Sequence, residues 1–361
     1  MAAPLLALNL GYDEAAVGLL LALFALPQIF VALPAGRWAD RKGVRTPVAS
    51  AVLVAAVGAG VAAAFPVYPV LCIAALLSGG GMAVGAISLQ RHVGRATTSS
   101  ANRKRAFAWL STAPALSNFV GPFATGLIID HAGYRAAFLV LGALSVSAWG
   151  WLHAVRDLPA DPTYAKPTGN AWDLWKEPQF RRLLALNWFM AASFDVHGFV
   201  VPVLGHERGL PASVIGTILG CFAVAATVVR IAMPVMAARV REWILITAAM
   251  ALTATFFFLY PFAESAVAMA ICSTAIGLSF GSVQPMVMTL LHHVTPPNRH
   301  GEAVAMRHLM INASSVTMPV LFGVAGGVMG VSSLFWLMSA VVAMGSRVSV
   351  GLRHVTDGHD S

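Results

Sequence analysis

Long apolar runs follow one another along almost the whole chain. Nine runs contain at most three charged residues each: 15–36, 46–90, 106–129, 136–155, 183–204, 209–229, 243–263, 265–291 and 302–351. A membrane-spanning helix needs roughly 20 predominantly apolar residues, and the runs 46–90 and 302–351 are each long enough for two such helices. The sequence therefore predicts eleven complete membrane-spanning helices and leaves little room for a water-soluble domain.

The composition agrees with this interpretation. Of the 361 residues, 58% are hydrophobic and 11% are charged, whereas a soluble globular domain carries roughly 25% charged residues. The apolar runs are continuous and lack the alternation of about ten-residue strands that is typical of outer-membrane barrels. We therefore expect an all-α integral membrane protein and not a soluble enzyme.

Basic residues between the runs predict the orientation in the membrane. Most Lys and Arg residues lie on one side of the predicted spans, whereas the opposite side carries only Arg135 and Arg208. The positive-inside rule makes the basic side cytoplasmic, with the C-terminus inside. Arg outnumbers Lys 19 to 4, a bias that hints at a GC-rich bacterial genome. We expect a multi-pass protein of the bacterial inner membrane, and we do not expect its net charge of +8 to bind nucleic acid.

The two halves of the sequence repeat one another. At an offset of 198 residues Pro4, Gly18 and Phe24 align with Pro202, Gly216 and Phe222, and at 197 residues Pro122 and Gly126 align with Pro319 and Gly323. Two parallel copies of a six-helix unit are implied. We predict an N-terminal bundle at 1–154, a cytoplasmic linker at 155–182, a C-terminal bundle of helices 7–12 at 183–351 and a cytoplasmic tail at 352–361.

The repeat also suggests that helix 1 is incomplete. The run 183–204 should have a partner that starts upstream of Met1, and only residues 1–10 of that partner are present, followed by helices 2–6. We expect an N-terminally truncated or mis-started version of a twelve-helix protein.

The predicted linker has a composition unlike the rest of the chain. Residues 155–182 contain nine charges and four prolines. Its end, 170–182, carries Trp172, Trp175 and Phe180, which suits a short helix on the membrane surface as well as an irregular loop.

A basic loop between the first two complete spans carries the most specific motif. It reads Gly36-Arg37-Trp38-Ala39-Asp40-Arg41-Lys42-Gly43-Val44-Arg45 and resembles the G-x-x-x-D-R-x-G-R/K-R/K signature of the major facilitator superfamily, as does the six-plus-six repeat. The motif departs from the signature at Trp38 and Val44, and the second-half copy has Ala238 in place of Asp40. The resemblance implies a cytoplasmic gate formed by Gly36, Asp40, Arg41, Gly43 and Arg45. The alternative is a loop whose basic residues only set the topology.

A second, partial resemblance lies in the predicted fifth helix. Gly121-Pro122-Phe123-Ala124-Thr125-Gly126 is similar to the antiporter motif of that family, with Ser117 and Thr125 at positions where glycine is expected. Proline kinks a membrane helix, and small residues let another helix approach closely. Gly121, Pro122 and Gly126 are therefore expected to form a pivot, with ordinary small-residue packing as the alternative.

Polar residues inside the spans are candidates for a proton or substrate cavity. Asp195 lies about 12 residues into its run, or roughly 18 Å at 1.5 Å per residue. An ionised aspartate at that depth costs at least ~2.5–3.5 kcal/mol, so we expect Asp195 to carry a proton or to hold helices together through hydrogen bonds. His197 is about 200° further around the helix and is expected to be a packing residue. The remaining candidates are Arg91, Gln284, Arg307 and Asn312, for which a structural role is equally open.

Other chemistries are not supported. Gly277-Leu278-Ser279-Phe280-Gly281 matches G-x-S-x-G, but it lies in an apolar helix and not in the strand-turn-helix context of a nucleophile. The histidines have no metal-ligand spacing, and no phosphate-binding glycine loop is present. We expect no catalytic residue, no metal and no cofactor beyond a proton as coupling ion.

The family resemblance implies a secondary active transporter that works by alternating access. We expect a monomer that contacts membrane lipids and moves a small organic molecule, with proton-coupled export as the leading version. Uptake or exchange of a small metabolite is the first alternative. A transporter-like membrane sensor without flux is the second.

Overall fold

The protein is a bundle of long helices. The computed structural model describes residues 1–96, 100–152, 154, 171–237, 242–296 and 299–350. The helices are α1 (Ala2–Asn9), α2 (Glu14–Lys42), α3 (Arg45–Ala64), α4 (Tyr68–Ala96), α5 (Ser100–Leu152), α6 (Pro178–Glu207), α7 (Ala212–Ala237), α8 (Glu242–Leu259), α9 (Ala266–Val294), α10 (His300–Met329) and α11 (Val331–Val350). Two short 3-10 helices, Ala171–Lys176 and Tyr260–Phe262, complete the described structure.

Nine helices of the described part are long and apolar enough to cross a membrane. One of these spans, Leu116–Leu152, has 37 residues and is broken by non-helical φ/ψ at Gly133, so it provides two crossings. Val331–Arg347 is a shorter apolar helix. Large apolar side chains such as Phe30, Trp151 and Ile231 point outward and are exposed, as lipid-facing residues are. The fold is therefore that of an all-α membrane protein.

The helices of the second half follow those of the first with the offset seen in the sequence. A shift of 198 residues carries the bounds of α4, Tyr68–Ala96, onto those of α9, Ala266–Val294. By the same shift α1 corresponds to α6, α2 to α7 and α3 to α8. The arm of α5 before Gly133 corresponds to α10, and the arm after it to α11.

Glycines in the left-handed region end the corresponding helices in both halves. Gly11 and Gly209 have φ of 84° and 67°, and Gly133 and Gly330 both have φ of 79°. Only glycine adopts this conformation without a steric penalty. The turn after α1 is thus repeated after α6, and the break within α5 is repeated between α10 and α11.

Two equivalent helix crossings join the halves. The α2 helix packs on α10, and α5 packs on α7. A Cβ atom at Gly18 would collide with the carbonyl group of Pro319, and one at Gly216 would collide with that of Pro122. Small residues allow helix backbones to approach this closely. We call these contacts the α2–α10 seam and the α5–α7 seam.

Both seams lie at the face of the bundle where Asp130 of α5 is found, and we call this face the Asp130 side. The start of α2 lies on the same side, where a Cβ atom at Gly323 would contact the backbone of Glu14 and Ala15. The distribution of basic residues predicts that the Asp130 side is extracytoplasmic. The halves are closed against each other on this side.

The N-terminal half contains open apolar space beside α1. A cavity of about 400 Å³ is bordered by α1, α2, α3, α4 and the second arm of α5. In the C-terminal half the longer α6 packs against α9, α10 and α11, and α6 is the most buried of the candidate spans.

The end of the predicted linker is more ordered than an irregular loop. Residues Ala171–Lys176 form a 3-10 helix, and α6 begins at Pro178, five residues before the predicted boundary at 183. Proline suits the first turn of a helix, where its missing N–H leaves no hydrogen bond unmade. The first turn of α6 therefore lies before the apolar run and contains charged residues. Residues 155–170 of the linker and the tail at 352–361 lie outside the described residues.

Candidate transport site

A cavity lies between the two halves of the bundle. Its volume is about 160 Å³, and its wall includes Asn118 and Pro122 of α5 together with residues of α6, α7 and α9. The N-terminal half thus contributes one helix and the C-terminal half three. A movement of one half against the other must change the shape of this cavity.

Three phenylalanine rings from three helices form one part of the wall. The ring centroids of Phe194 and Phe280 are 5.0 Å apart with an interplanar angle of 26°. Phe222 lies 5.8 Å from each of these rings. Aromatic pairs are favourable at these separations, so the cluster provides an apolar surface that suits a ring or a short hydrocarbon.

Arg230 is the charged residue among the described residues of the cavity wall. It lies 18 residues after the start of α7 at Ala212, or about 27 Å at 1.5 Å per residue, toward the end opposite the Asp130 side. No hydrogen bond or ion pair of Arg230 with another described residue is present. Arg230 was not among the residues predicted from the sequence, although it directly follows the run 209–229 and α7 continues beyond it.

Two further polar residues of the wall differ in their hydrogen bonding. Thr227 donates from Oγ1 to the carbonyl oxygen of Ala223 at 2.8 Å. The amide of Asn118 makes no hydrogen bond to the described residues. Asn118 therefore offers a hydrogen-bond donor and an acceptor from the N-terminal half. Its only indication in the sequence was a polar residue four positions before Pro122.

His197 also lines the cavity and is held by a buried chain of hydroxyl groups. Its Nε2 lies 2.9 Å from Oγ of Ser273, and that Oγ lies 2.8 Å from the Tyr260 hydroxyl. Tyr260 and Ser273 are fully buried, and both hydroxyl protons are paired when Tyr260 donates to Ser273 and Ser273 donates to His197. The neutral imidazole then carries its proton on Nδ1. The ring of His197 stacks on Phe222 at 4.6 Å.

Asp195 points to a different neighbour, the α10 helix. Oγ of Ser314 donates to Oδ2 of Asp195 at 2.8 Å, and Oγ of Ser315 donates to Oδ1 at 2.9 Å. Asp195 makes no ion pair with the described residues. The carboxyl group thus joins α6 to α10 inside the membrane-spanning part of the bundle.

A second polar cluster lies on the same α6–α10 contact. Arg307 is 6% exposed; its Nε donates to Oδ1 of Asn187 at 2.9 Å, and its Nη2 donates to Oε1 of Gln284. The structure therefore brings the predicted residues Arg307 and Gln284 together, but against Asn187 and not on the wall of the cavity described above. Asn312 is half-buried and makes no hydrogen bond to the described residues.

The predicted gate loop is a tight turn between α2 and α3. Gly43 ends α2 with φ of 75°, and α3 begins at Arg45, which is exposed. Gly36 lies within α2 and does not form a turn. The side chains of Asp40, Arg41 and Arg91 lie outside the described residues.

The predicted pivot residues of α5 have unequal roles. Pro122 and Gly126 lie in the α5–α7 seam, where a Cβ atom at Gly126 would collide with the backbone of Ala212. A Cβ atom at Gly121 would meet no atom of the described residues within 4 Å, so none of the described helices approaches closely there.

Asp130 joins the halves beside this seam, and no sequence pattern pointed to it. Its Oδ1 accepts a hydrogen bond from the backbone N–H of Ala212 at 2.9 Å, and its Oδ2 accepts one from that of Ser213 at 2.8 Å. The first N–H groups of a helix lack partners within the helix, and the helix N-terminus favours negative charge. Asp130 of one half therefore caps α7 of the other.

We expect Asp130→Ala to weaken closure of the Asp130 side by about 1 kcal/mol, the usual value of a lost helix cap. The measurement uses a cysteine at Asn118 in a background whose three native cysteines are replaced by alanine. A membrane-impermeant thiol reagent added from the Asp130 side should label this cysteine several-fold faster in the variant. Asp173→Ala, in the exposed 3-10 helix, is the matched control. Equal labelling rates in both variants would show that the cap does not hold this side closed.

Two parallel helical repeats are an architecture that many secondary transporters share, and the chain is a multi-pass membrane protein. The chain belongs to the Major Facilitator Superfamily, whose sequence profile matches residues 1–194 and again 183–357. The family assignment makes it a secondary transporter.

Two similar proteins show how far this assignment extends. The chain is 23% identical over 365 residues to Multidrug resistance protein 1 of Bacillus subtilis (strain 168), covering 96% of this chain and 90% of that protein. A crystal structure of the nucleoside transporter NupG superposes with a TM-score of 0.77 at 11% sequence identity, covering 97% of this chain and 94% of that one. The structural likeness concerns the fold, and the names of the two proteins indicate different cargoes.

Proposed function

We propose that the protein is a proton-coupled carrier that exports a small organic solute across the bacterial inner membrane by alternating access. The observation that carries the proposal is Asp195, a carboxyl group in the membrane-spanning part of α6 whose described hydrogen bonds come only from Ser314 and Ser315. An ionisable residue at such a depth is a candidate for ion or proton movement.

The environment of Asp195 supports proton loading. Two serine hydroxyls satisfy the carboxyl oxygens, but neither supplies a positive charge, and an uncompensated charge in the membrane costs at least ~2.5–3.5 kcal/mol. A proton removes that cost while the α6–α10 contact is closed. Water that reaches Asp195 from the opposite side would let the proton leave, so the binding and release of a proton can alternate with the two open states.

The two seams support alternating access. On the Asp130 side the halves meet through backbone contacts at Gly18 and Gly216, and rigid-body rotation about such an interface is a common way to open one side. We propose that Gly36, Asp40, Arg41, Gly43 and Arg45 form the gate on the opposite, cytoplasmic side. We further propose that Pro122 and Gly126, with Gly121 beside them, form the pivot.

The export direction is supported by two resemblances. The chain is similar to Multidrug resistance protein 1 of Bacillus subtilis over nearly its whole length. The Gly121–Gly126 segment partly matches the antiporter motif of the family. A monomer surrounded by lipid, with its C-terminus in the cytoplasm, completes the proposal.

Flux in proteoliposomes tests the proposal. The purified protein is reconstituted with an imposed pH gradient, and the movement of a panel of radiolabelled organic solutes is followed with and without an uncoupler. We expect at least one solute to accumulate against its concentration gradient, and we expect the uncoupler to abolish this accumulation. Flux that is insensitive to the uncoupler but stimulated by solute on the opposite side would identify an exchanger. Binding without any flux would contradict transport.

A further inference from the structure

The cavity between the two halves carries a positive charge that no described residue neutralises. Arg230 is the charged residue on a wall otherwise made of apolar and neutral polar side chains. Asp195 is the neighbouring carboxylate on α6, and it is turned toward Ser314 and Ser315 of α10. Arg230 is exposed at the cavity, so an anion can reach its guanidinium group, and the apolar side chains beside it strengthen the attraction relative to open water.

The other polar groups of the wall can also bind a carboxylate. His197 lines the wall, and when Ser273 donates to its Nε2 the neutral imidazole carries its proton on Nδ1 and is a hydrogen-bond donor. The amide of Asn118 adds N–H groups from the opposite half. Guanidinium is planar and binds a carboxylate through two parallel hydrogen bonds. The set Arg230, His197 and Asn118 is thus rich in donors and contains no carboxylate that would bind a cation.

The apolar part of the cavity suggests the rest of the cargo. The volume of about 160 Å³ is close to the roughly 150 Å³ of an apolar protein cavity that holds one benzene molecule. The rings of Phe194, Phe222 and Phe280 lie on the wall and can pack against a ring in the offset or edge-on geometries that aromatic groups favour.

We propose that the cavity binds a small aromatic carboxylate, with one ring packed among Phe194, Phe222 and Phe280 and the carboxylate paired with Arg230. This inference rests on the proposed function, because it names the chemical class of the cargo that the same cavity carries.

Three probes of nearly equal shape and different charge test the inference. Binding of benzoate, benzamide and benzamidine to the purified protein is measured by scintillation proximity or calorimetry. We expect saturable binding of benzoate, at least about tenfold weaker binding of neutral benzamide and no binding of cationic benzamidine. Benzamidine that binds as well as benzoate would overturn the proposal without any mutant.

Variants of Arg230 locate the charge. Arg230→Gln should weaken benzoate binding at least about tenfold, because it removes a charge-assisted pair. Arg230→Lys should weaken it less, because it retains the charge without the planar fork. Arg181→Gln, at the exposed start of α6, is the matched control and should bind benzoate normally. Unchanged binding in Arg230→Gln would show that Arg230 does not hold the carboxylate and would overturn the proposal. If Arg230→Gln does not fold, benzoate binding by Arg230→Lys and the comparison of the three probes test the proposal instead.

The binding assay separates this inference from the proposed function. Benzoate binding that depends on Arg230 in a protein that moves no solute would contradict transport and leave the anion site intact. Gradient-driven flux of another solute by a protein that neither binds nor moves benzoate would contradict the anion site alone.

Discussion

Asp195→Asn is expected to lower gradient-driven accumulation of the cargo by about two orders of magnitude, the lower end of what a positioned proton-transfer group contributes. Asparagine has the same shape and can still accept a hydrogen bond from Ser314 or Ser315, so the α6–α10 contact should persist. The amide of asparagine cannot bind and release a proton at physiological pH. Exchange of labelled for unlabelled cargo without a gradient should therefore continue.

The comparison of two assays makes this prediction specific. Accumulation and exchange are measured in the same proteoliposomes, and Asp173→Asn, a surface carboxylate that pairs with Lys176 at 3.0 Å, is the matched control because exposed pairs contribute little. Benzoate binding should be normal in Asp195→Asn. Wild-type accumulation in this variant would refute Asp195 as the proton carrier, and loss of both assays would point to a purely structural aspartate.

Gly216→Val is expected to disrupt the contact between the halves. A Cβ atom at this position would collide with the carbonyl oxygen of Pro122, and a backbone atom cannot move aside as a flexible side chain can. Overpacking of a well-packed interior costs about 1–3 kcal/mol, occasionally more. We expect a lower thermal unfolding temperature in detergent and loss of transport, because the seam can no longer close.

Gly60→Val provides the matched control for this substitution. Gly60 also lies in a helix, α3, but a Cβ atom there would meet nothing within 4 Å, so the same change should leave the unfolding temperature nearly unchanged. Gly18→Val, at the equivalent contact with Pro319, should resemble Gly216→Val because the two seams are related by the repeat. Equal unfolding temperatures for Gly60→Val and Gly216→Val would show that the seam tolerates a side chain and that the close contact is not required.

Helices and their limits follow from local sequence. The two runs that were long enough for two helices are each divided, at 65–67 between α3 and α4 and at Gly330 between α10 and α11, because proline and glycine interrupt runs that are otherwise apolar. The repeat offset is also evident in the sequence, and it pairs Gly11 with Gly209, which terminate corresponding helices with positive φ. Asp195 was conspicuous for the same local reason, as a charged residue within an apolar run.

The partners of these residues depend on tertiary structure. Asp195 is hydrogen-bonded to serines about 120 positions away, Asp130 caps a helix of the other half, and Arg307 binds Asn187 and Gln284. Arg230 adjoined an apolar run like many basic residues at helix ends, and only the packing of α5, α6, α7 and α9 put it on the cavity wall. The apolar runs by themselves determined a membrane bundle of two repeats, because the membrane requires about twenty apolar residues per span wherever that span lies. The seams and the charge of the cavity were decided by the rotation of each helix about its axis, which depends on side chains that are distant in the chain.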